Sequence, residues 1–133
     1  MFLLGPSHKV YLDFIATTTC TEWETPIGNL KVDTKLVDEL TQEKGEMFQK
    51  IEKSYEENEH SLEMHIPYIK KVFEGNDTLS LVPLMVGQVS REALPNYGKI
   101  LAKYYIDPSV LFVISSDFCH WGKRFKFIHR FKD

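Results

Sequence analysis

Two rhythms of apolar and polar positions alternate along the chain. Phe2–Leu4 is an unbroken apolar run closed by Gly5 and Pro6, which predicts a short buried strand delivering Ser7 and His8 into a loop. Tyr11–Thr19, dense in aromatic and β-branched residues, predicts a second strand. Pro26 and Gly28 interrupt Thr21–Lys31, which reads as a loop or a hairpin with an irregular tip. The period then lengthens: Leu36, Val37 and Leu40 share one side of a helix capped by Asp33 or Thr34, running through Glu43 and ending at Gly45.

Leu62, Ile66, Ile69 and Phe73 recur at helical spacing and predict the buried stripe of a helix that Gly75 ends, with His60 and Glu63 on its other side. Pro67 falls inside that stripe, lacks an N–H and crowds the preceding turn, so a kink or break is expected there. Leu79–Val86 has the composition of a strand, although Pro83 would ordinarily confine it to an edge or a bulge. Ser90 opens a further helix with Leu94, Tyr97, Leu101 and Tyr104 on one side, stopped by Asp107 and Pro108, and Val110–Ser115 is the last strand. Strands thus alternate with stretches long enough for crossover helices, and the first and last strands are purely apolar. The expected fold is α/β: a mainly parallel or mixed sheet flanked by helices on both faces, in one domain over residues 1–133.

Composition adds little to this picture, since 133 residues at 43% hydrophobic and a net charge of −3 describe one ordinary core. No apolar run approaches the roughly 20 residues of a membrane span, so no membrane insertion is expected. Asp33–Glu74 holds eleven acids against six lysines, the mark of a solvated helix and loop surface. The tail KRFKFIHRFKD is basic and aromatic, but one short cluster on an acidic chain does not argue for nucleic acid. Cys20 and Cys119 make neither a disulfide framework nor a zinc knuckle, and reduced thiols accord with a cytoplasmic location.

Chemistry gathers at two strand ends, LLGPSH and ISSDFCH, each an apolar run followed by small residues and a histidine. In a parallel sheet such ends share one edge, where open α/β sheets hold their ligands, so His8, Asp117 and His120 are expected to converge. Two imidazoles and a carboxylate are the ligand set of non-haem iron sites. An imidazole held by a carboxylate is also a general base near neutral pH, and the residues alone leave both roles open. His60 joins the pocket wall if its helix starts at that edge, while Glu59 and Glu63 beside it are accounted for by the helix dipole. Trp121, next to His120, is the candidate aromatic wall. Cys119 is expected to be packed and turned away from the site, which makes it a poor nucleophile.

Four blocks together carry a resemblance: GPSH at Gly5–His8, EHSLEMHIPY at Glu59–Tyr68, VPLMVG at Val82–Gly87 and SSDFCHWGKRF at Ser115–Phe125. In this order and at similar separations they resemble the Memo family, mediators of ErbB-driven cell motility, from Phe2 to about Phe127. The family is similar in fold to class III extradiol dioxygenases, so the resemblance implies part of that fold with a pocket at the strand ends. It implies a redox metal, iron or copper, held by His8 together with a histidine from an upstream Pro-His-Ala-Gly motif and a downstream cysteine. His120 resembles the dioxygenases' acid/base histidine, with Asp117 in the same pocket. The resemblance further implies a groove for the phosphotyrosine peptide of a receptor tyrosine kinase around His8, Asp117 and His120. A role in motility and cytoskeletal signalling follows, in the cytoplasm with the nucleus as a second compartment.

Met1 stands where the family continues upstream, residues 128–133 depart from its pattern, and neither Cys20 nor Cys119 matches its cysteine. The chain is therefore expected to be a truncated internal portion with one of three metal ligands. It should bind iron or copper weakly or not at all by itself and self-associate through exposed sheet edges. Alone it is not expected to be an enzyme. The rival reading is a non-haem metal-dependent dioxygenase or related redox enzyme, with His8 as ligand, His120 as acid/base and Asp117 orienting His120.

Overall fold

A computed structural model describes residues 1–130. Along the chain, β1 (Phe2–Pro6) and β2 (Ile15–Thr17) precede a small hairpin, β3 (Glu22–Trp23) and β4 (Leu30–Lys31). Helix α1 (Thr34–Glu43), β5 (Phe48–Lys50) and three short helices follow, α2 (Lys53–Glu57), α3 (His60–Glu63) and α4 (Ile66–Val72). Then come β6 (Val82–Val86), α5 (Leu94–Tyr105), β7 (Phe112–Ile114) and a 3₁₀ turn at Lys123–Phe125.

The five-stranded sheet has the order β5-β2-β6-β1-β7. β1 runs parallel to both its neighbours, β6 and β7, and β2 runs parallel to β5 but antiparallel to β6. The sheet is therefore mixed, and helices flank it on two sides. Period-two alternation sends Phe2 to one face, with Val37, Leu40 and Tyr97 from α1 and α5, and Leu3 to the other, with Leu62, Ile66 and Ile69 from α3 and α4. Each such buried side chain contributes about 1.5–3 kcal/mol, so the two half-cores carry the fold.

Local rules explain most boundaries. Asp33 caps α1 by accepting the Leu36 N–H at 3.1 Å. The break expected at Pro67 is present: α3 ends at Glu63 and α4 restarts with Pro67 in its first turn, where a missing N–H costs nothing. Leu62, Ile66 and Ile69 stay buried through the break.

Four expectations are corrected. Pro83 sits in the central strand β6, not at an edge. Val82 donates its N–H to Met1 on the β1 side, so the absent donor of Pro83 faces β2, whose pairing with β6 covers only Val86 and Met85. Thr17 bridges the gap by donating its hydroxyl to the Pro83 carbonyl at 2.8 Å. The second strand is only Ile15–Thr17, because the chain before it turns its carbonyls sideways: Leu12 and Phe14 accept from Gln88 and Gly87. A Cβ at Gly87 would lie 2.4 Å from the Leu12 carbonyl, so glycine is required there. β5 is a strand the pattern did not announce, since only Phe48 of its three residues is buried. The last strand spans Phe112–Ile114 and lies at the sheet edge, where Ile114 is 66% exposed among the described residues. Of the tail 128–133, Ile128–Arg130 are irregular and the remainder lies outside the described residues. No helix among the described residues is long and apolar enough to cross a membrane.

Candidate functional site

Because β1 and β7 are parallel neighbours, their C-terminal ends open on one edge of the sheet. β1 leads through Ser7 to His8, and β7 leads through Ser115 to Asp117. His8 Nε2 lies 2.9 Å from Asp117 Oδ2, and the same oxygen lies 3.3 Å from His120 Nε2. The three residues predicted to converge thus meet through one carboxylate oxygen. His60 comes to the same place from α3, its ring stacked on that of His8 with centroids 4.6 Å apart. Phe125 stacks on His120 at the same separation, which brings Arg124 along the outer side, its guanidinium 5.7 Å from the Phe125 ring. Trp121 is half-exposed and commits its indole N–H to the His129 carbonyl at 3.0 Å.

The surroundings differ from expectation in two ways. Asp117 and His120 follow an edge strand and stand about half-exposed. Cys119 is exposed rather than packed, because the pairing of β7 ends at Ile114 and alternation no longer governs the loop.

A fifth residue was missed by sequence reasoning altogether. Glu59, read as a dipole-offsetting surface acid, is 1% exposed. Its Oε1 accepts from His8 Nδ1 at 2.9 Å and from the Ser61 N–H at 3.0 Å, while Oε2 accepts the backbone N–H of His8. Two further contacts bring α3 this close to β1. The Ser61 hydroxyl donates to the Pro6 carbonyl at 2.8 Å, and a Cβ on Gly5 would fall 2.8 Å from that same hydroxyl oxygen. The one hint in the sequence was a long carboxylate at a helix N-cap, where shorter Asp, Ser, Thr and Asn prevail.

Electrostatics follow from these bonds. Burial alone would raise the Glu59 carboxyl, but the His8 and Ser61 N–H groups and the His8 ring outweigh it and hold the pKa at about 2. Asp117, and then Glu59, push the His8 imidazole above its ordinary range, and His8 in turn draws Asp117 down.

His8, Glu59 and His60 each place a possible ligand atom within 4.8 Å of the other two, a grouping able to hold a metal ion. Glu59 already receives three hydrogen bonds, so the ligand atom of this group that faces the edge is His8 Nε2, 2.9 Å from Asp117 Oδ2. An imidazole whose Nδ1–H is tied to a buried carboxylate and whose Nε2 points outward is the usual posture of a metal-binding histidine. The residues present therefore fit a metal as the grouping of His8, Glu59 and His60, with Asp117 Oδ2 2.9 Å from His8 Nε2. A cavity of about 420 Å³ opens elsewhere, lined by Cys20, Trp23, Glu56, Glu57 and Ile66. Burial pushes the Glu56 carboxyl in it up to about 7, and none of the five converging site residues lines it.

Comparison with known proteins gives a consistent set. A family model described as Memo-like protein matches residues 1–132, past about Phe127, where the resemblance read from the motifs ends. Protein MEMO1 of Xenopus laevis is 45% identical over 130 residues, covering 97% of this chain and 43% of that protein. The protein memo-1 homolog of Caenorhabditis elegans is 47% identical over 127 residues, covering 96% of this chain and 35% of its own. Protein MEMO1 of Homo sapiens is 43% identical over 128 residues, with 96% and 42% covered. The chain spans less than half the length of these curated relatives.

Proposed function

The chain belongs to the Memo-like protein family, and from that premise we propose a signalling protein whose His8, Asp117 and His120 edge takes a redox metal and a phosphotyrosine peptide. The metal is iron or copper. The peptide belongs to the tail of a receptor tyrosine kinase, and the setting is cytoplasmic signalling to the cytoskeleton and cell motility. The observation that carries this reading is the single oxygen of Asp117 that sits between two imidazole nitrogens, at 2.9 Å and 3.3 Å.

His8 Nε2 would hold the ion, with Asp117 Oδ2 beside it, and the ion when bound supplies a Lewis acid and a one-electron couple. Neutralising Asp117 in this way, or protonating His8 beside it, leaves an edge able to accept a phosphate dianion. Lys123 and Arg124, on the 3₁₀ turn that follows His120, extend the positive side of that edge, and a guanidinium forks well onto phosphate. Exposure of the loop suits a peptide ligand better than a small substrate, which needs enclosure.

One observation favours the enzyme reading. The contact between Asp117 and His120 is that of a carboxylate orienting a general acid/base, as a dioxygenase or related redox enzyme would require. Titration with ferrous iron and with cuprous copper, beside a His8→Ala variant, tests the metal. Binding abolished in the variant is expected, and equal binding by both would overturn it. A phosphotyrosine peptide should move the ring resonances of His8 and His120, whereas equal shifts with the unphosphorylated peptide would sink the specific claim.

A further inference from the structure

We propose that Glu59 is the positioning residue of this site: it fixes the orientation and the tautomer of His8, so that Nε2 carries the lone pair presented to the ligand. The inference rests on the reading of His8 as a ligand-facing residue, and it deepens that reading by naming what aims the ring.

Capping alone does not account for Glu59. Ser61 N–H needs one acceptor at the start of α3, and an aspartate or serine would provide it without taking a three-carbon acid side chain into the interior. Glu59 is the one fully buried ionisable side chain among the described residues, and no lysine or arginine is paired with it. Burying a lone carboxylate costs several kcal/mol unless hydrogen bonds replace its water. Here they do, and two of the three come from His8: its backbone N–H on Oε2 and its ring Nδ1 on Oε1. The carboxylate thus grips one residue at two points, main chain and ring, and leaves the imidazole little freedom to rotate.

Everything around this grip shortens the distance between α3 and the end of β1. Gly5 leaves room for Ser61 and Leu62, whose nearest atoms would stand 2.8 and 2.9 Å from any added Cβ. Ser61 is bonded to the Pro6 carbonyl, two residues before His8. His60 lies flat on the other ring face, so His8 is held at its edge by Glu59 and on its face by His60.

The tautomer follows from a competition. A neutral His8 has one ring proton and two carboxylates to give it to, Glu59 at Nδ1 and Asp117 at Nε2. Asp117 is half-exposed and can turn to water, whereas Glu59 has no water to turn to. The proton therefore stays on Nδ1, and Nε2 is left bare toward the edge where Asp117 and His120 stand. This reverses the preference of a free histidine side chain and is what a ligand to a cation needs.

The deciding measurement needs no metal. Ring ¹⁵N shifts of His8 in the full chain at alkaline pH, where the ring is neutral, should show a pyrrole-type Nδ1 and a pyridine-type Nε2. Glu59→Asp keeps a cap for α3 but is one methylene too short to reach the ring, so His8 should revert to the tautomer mixture of a free side chain. A pyrrole-type Nε2 in the unaltered chain, or an unchanged tautomer in folded Glu59→Asp, would overturn the proposal. If Glu59→Asp does not fold, the shifts of the unaltered chain decide alone. Ferrous iron titration is read separately: in Glu59→Asp an affinity about 10- to 100-fold weaker is expected where the unaltered chain binds iron. A chain that binds no iron yet shows the Nδ1–H tautomer would mean that the metal needs ligands beyond this chain and would leave the positioning role of Glu59 standing.

Discussion

Two strand ends face each other across the site, and they are built differently. At the end of β1, His8 is held by a buried carboxylate, a stacked imidazole and a helix pressed against Gly5. At the end of β7, Asp117 and His120 ride on an edge strand, half-exposed, and touch the rest of the molecule mainly through His8 and Phe125. One side is fixed before any ligand arrives and the other can adapt to it, which is how binding sites often divide rigidity and reach.

Removing the fixed side should cost most. Glu59→Ala strands the His8 and Ser61 donors and empties a buried space, so urea unfolding should show a loss of about 3–5 kcal/mol. Gly5→Ala pushes on Ser61 and Leu62 from beneath and should cost about 2 kcal/mol by the same assay, with His8 losing its stacking on His60. A loss no greater than that of a surface change in either variant would mean that the two strand ends are equally loose.

The contrast sharpens with pH. Glu59 lies below its ordinary value of 4.5, so its contribution is present above that value and fades as pH falls toward about 2. His8 is raised above its ordinary 6.5, so its contribution is whole below that value and is lost as pH climbs through the raised one. The difference in melting temperature between the unaltered chain and Glu59→Asp should therefore be widest between pH 4.5 and 6.5 and narrow on both sides. A difference independent of pH would break the comparison.

Changes on the adaptable side should barely move stability. Asp117→Asn and Ile114→Lys are each expected to fall within about 0.5 kcal/mol. Asp117→Asn should nonetheless abolish iron binding. Ile114→Lys should lower any self-association in sedimentation, because a charge on an apolar edge strand opposes pairing with another copy.

The same division decided how much could be read in advance. Where local chemistry sets the outcome, residues declared it: Asp33 capping α1, the break at Pro67, and the shared edge that brings His8, Asp117 and His120 together. Where partners far along the chain decide, local rules misled. Pro83 is tolerated in a central strand because β2 does not pair with it there, and Thr17, 66 residues away, satisfies its carbonyl. Glu59 reads as one more acid in an acidic stretch until His8, 51 residues earlier, is placed against it. Cys119 and the outer face of β7 were assigned to the interior because an apolar run looks the same at an edge as at a centre.

The position of β1 carries a consequence for the birth of the protein. It comes first in this chain, yet its two partners begin at Val82 and Phe112, opposite Phe2. A ribosome making this stretch would release the histidine-bearing strand long before either neighbour exists, so the strand must wait, unpaired, until residues 82–86 and 112–114 emerge. Pairings this distant in sequence close slowly. The binding edge should accordingly mature later than the local helices of this stretch, and a holding chaperone would find its natural target in Phe2, Leu3 and Leu4.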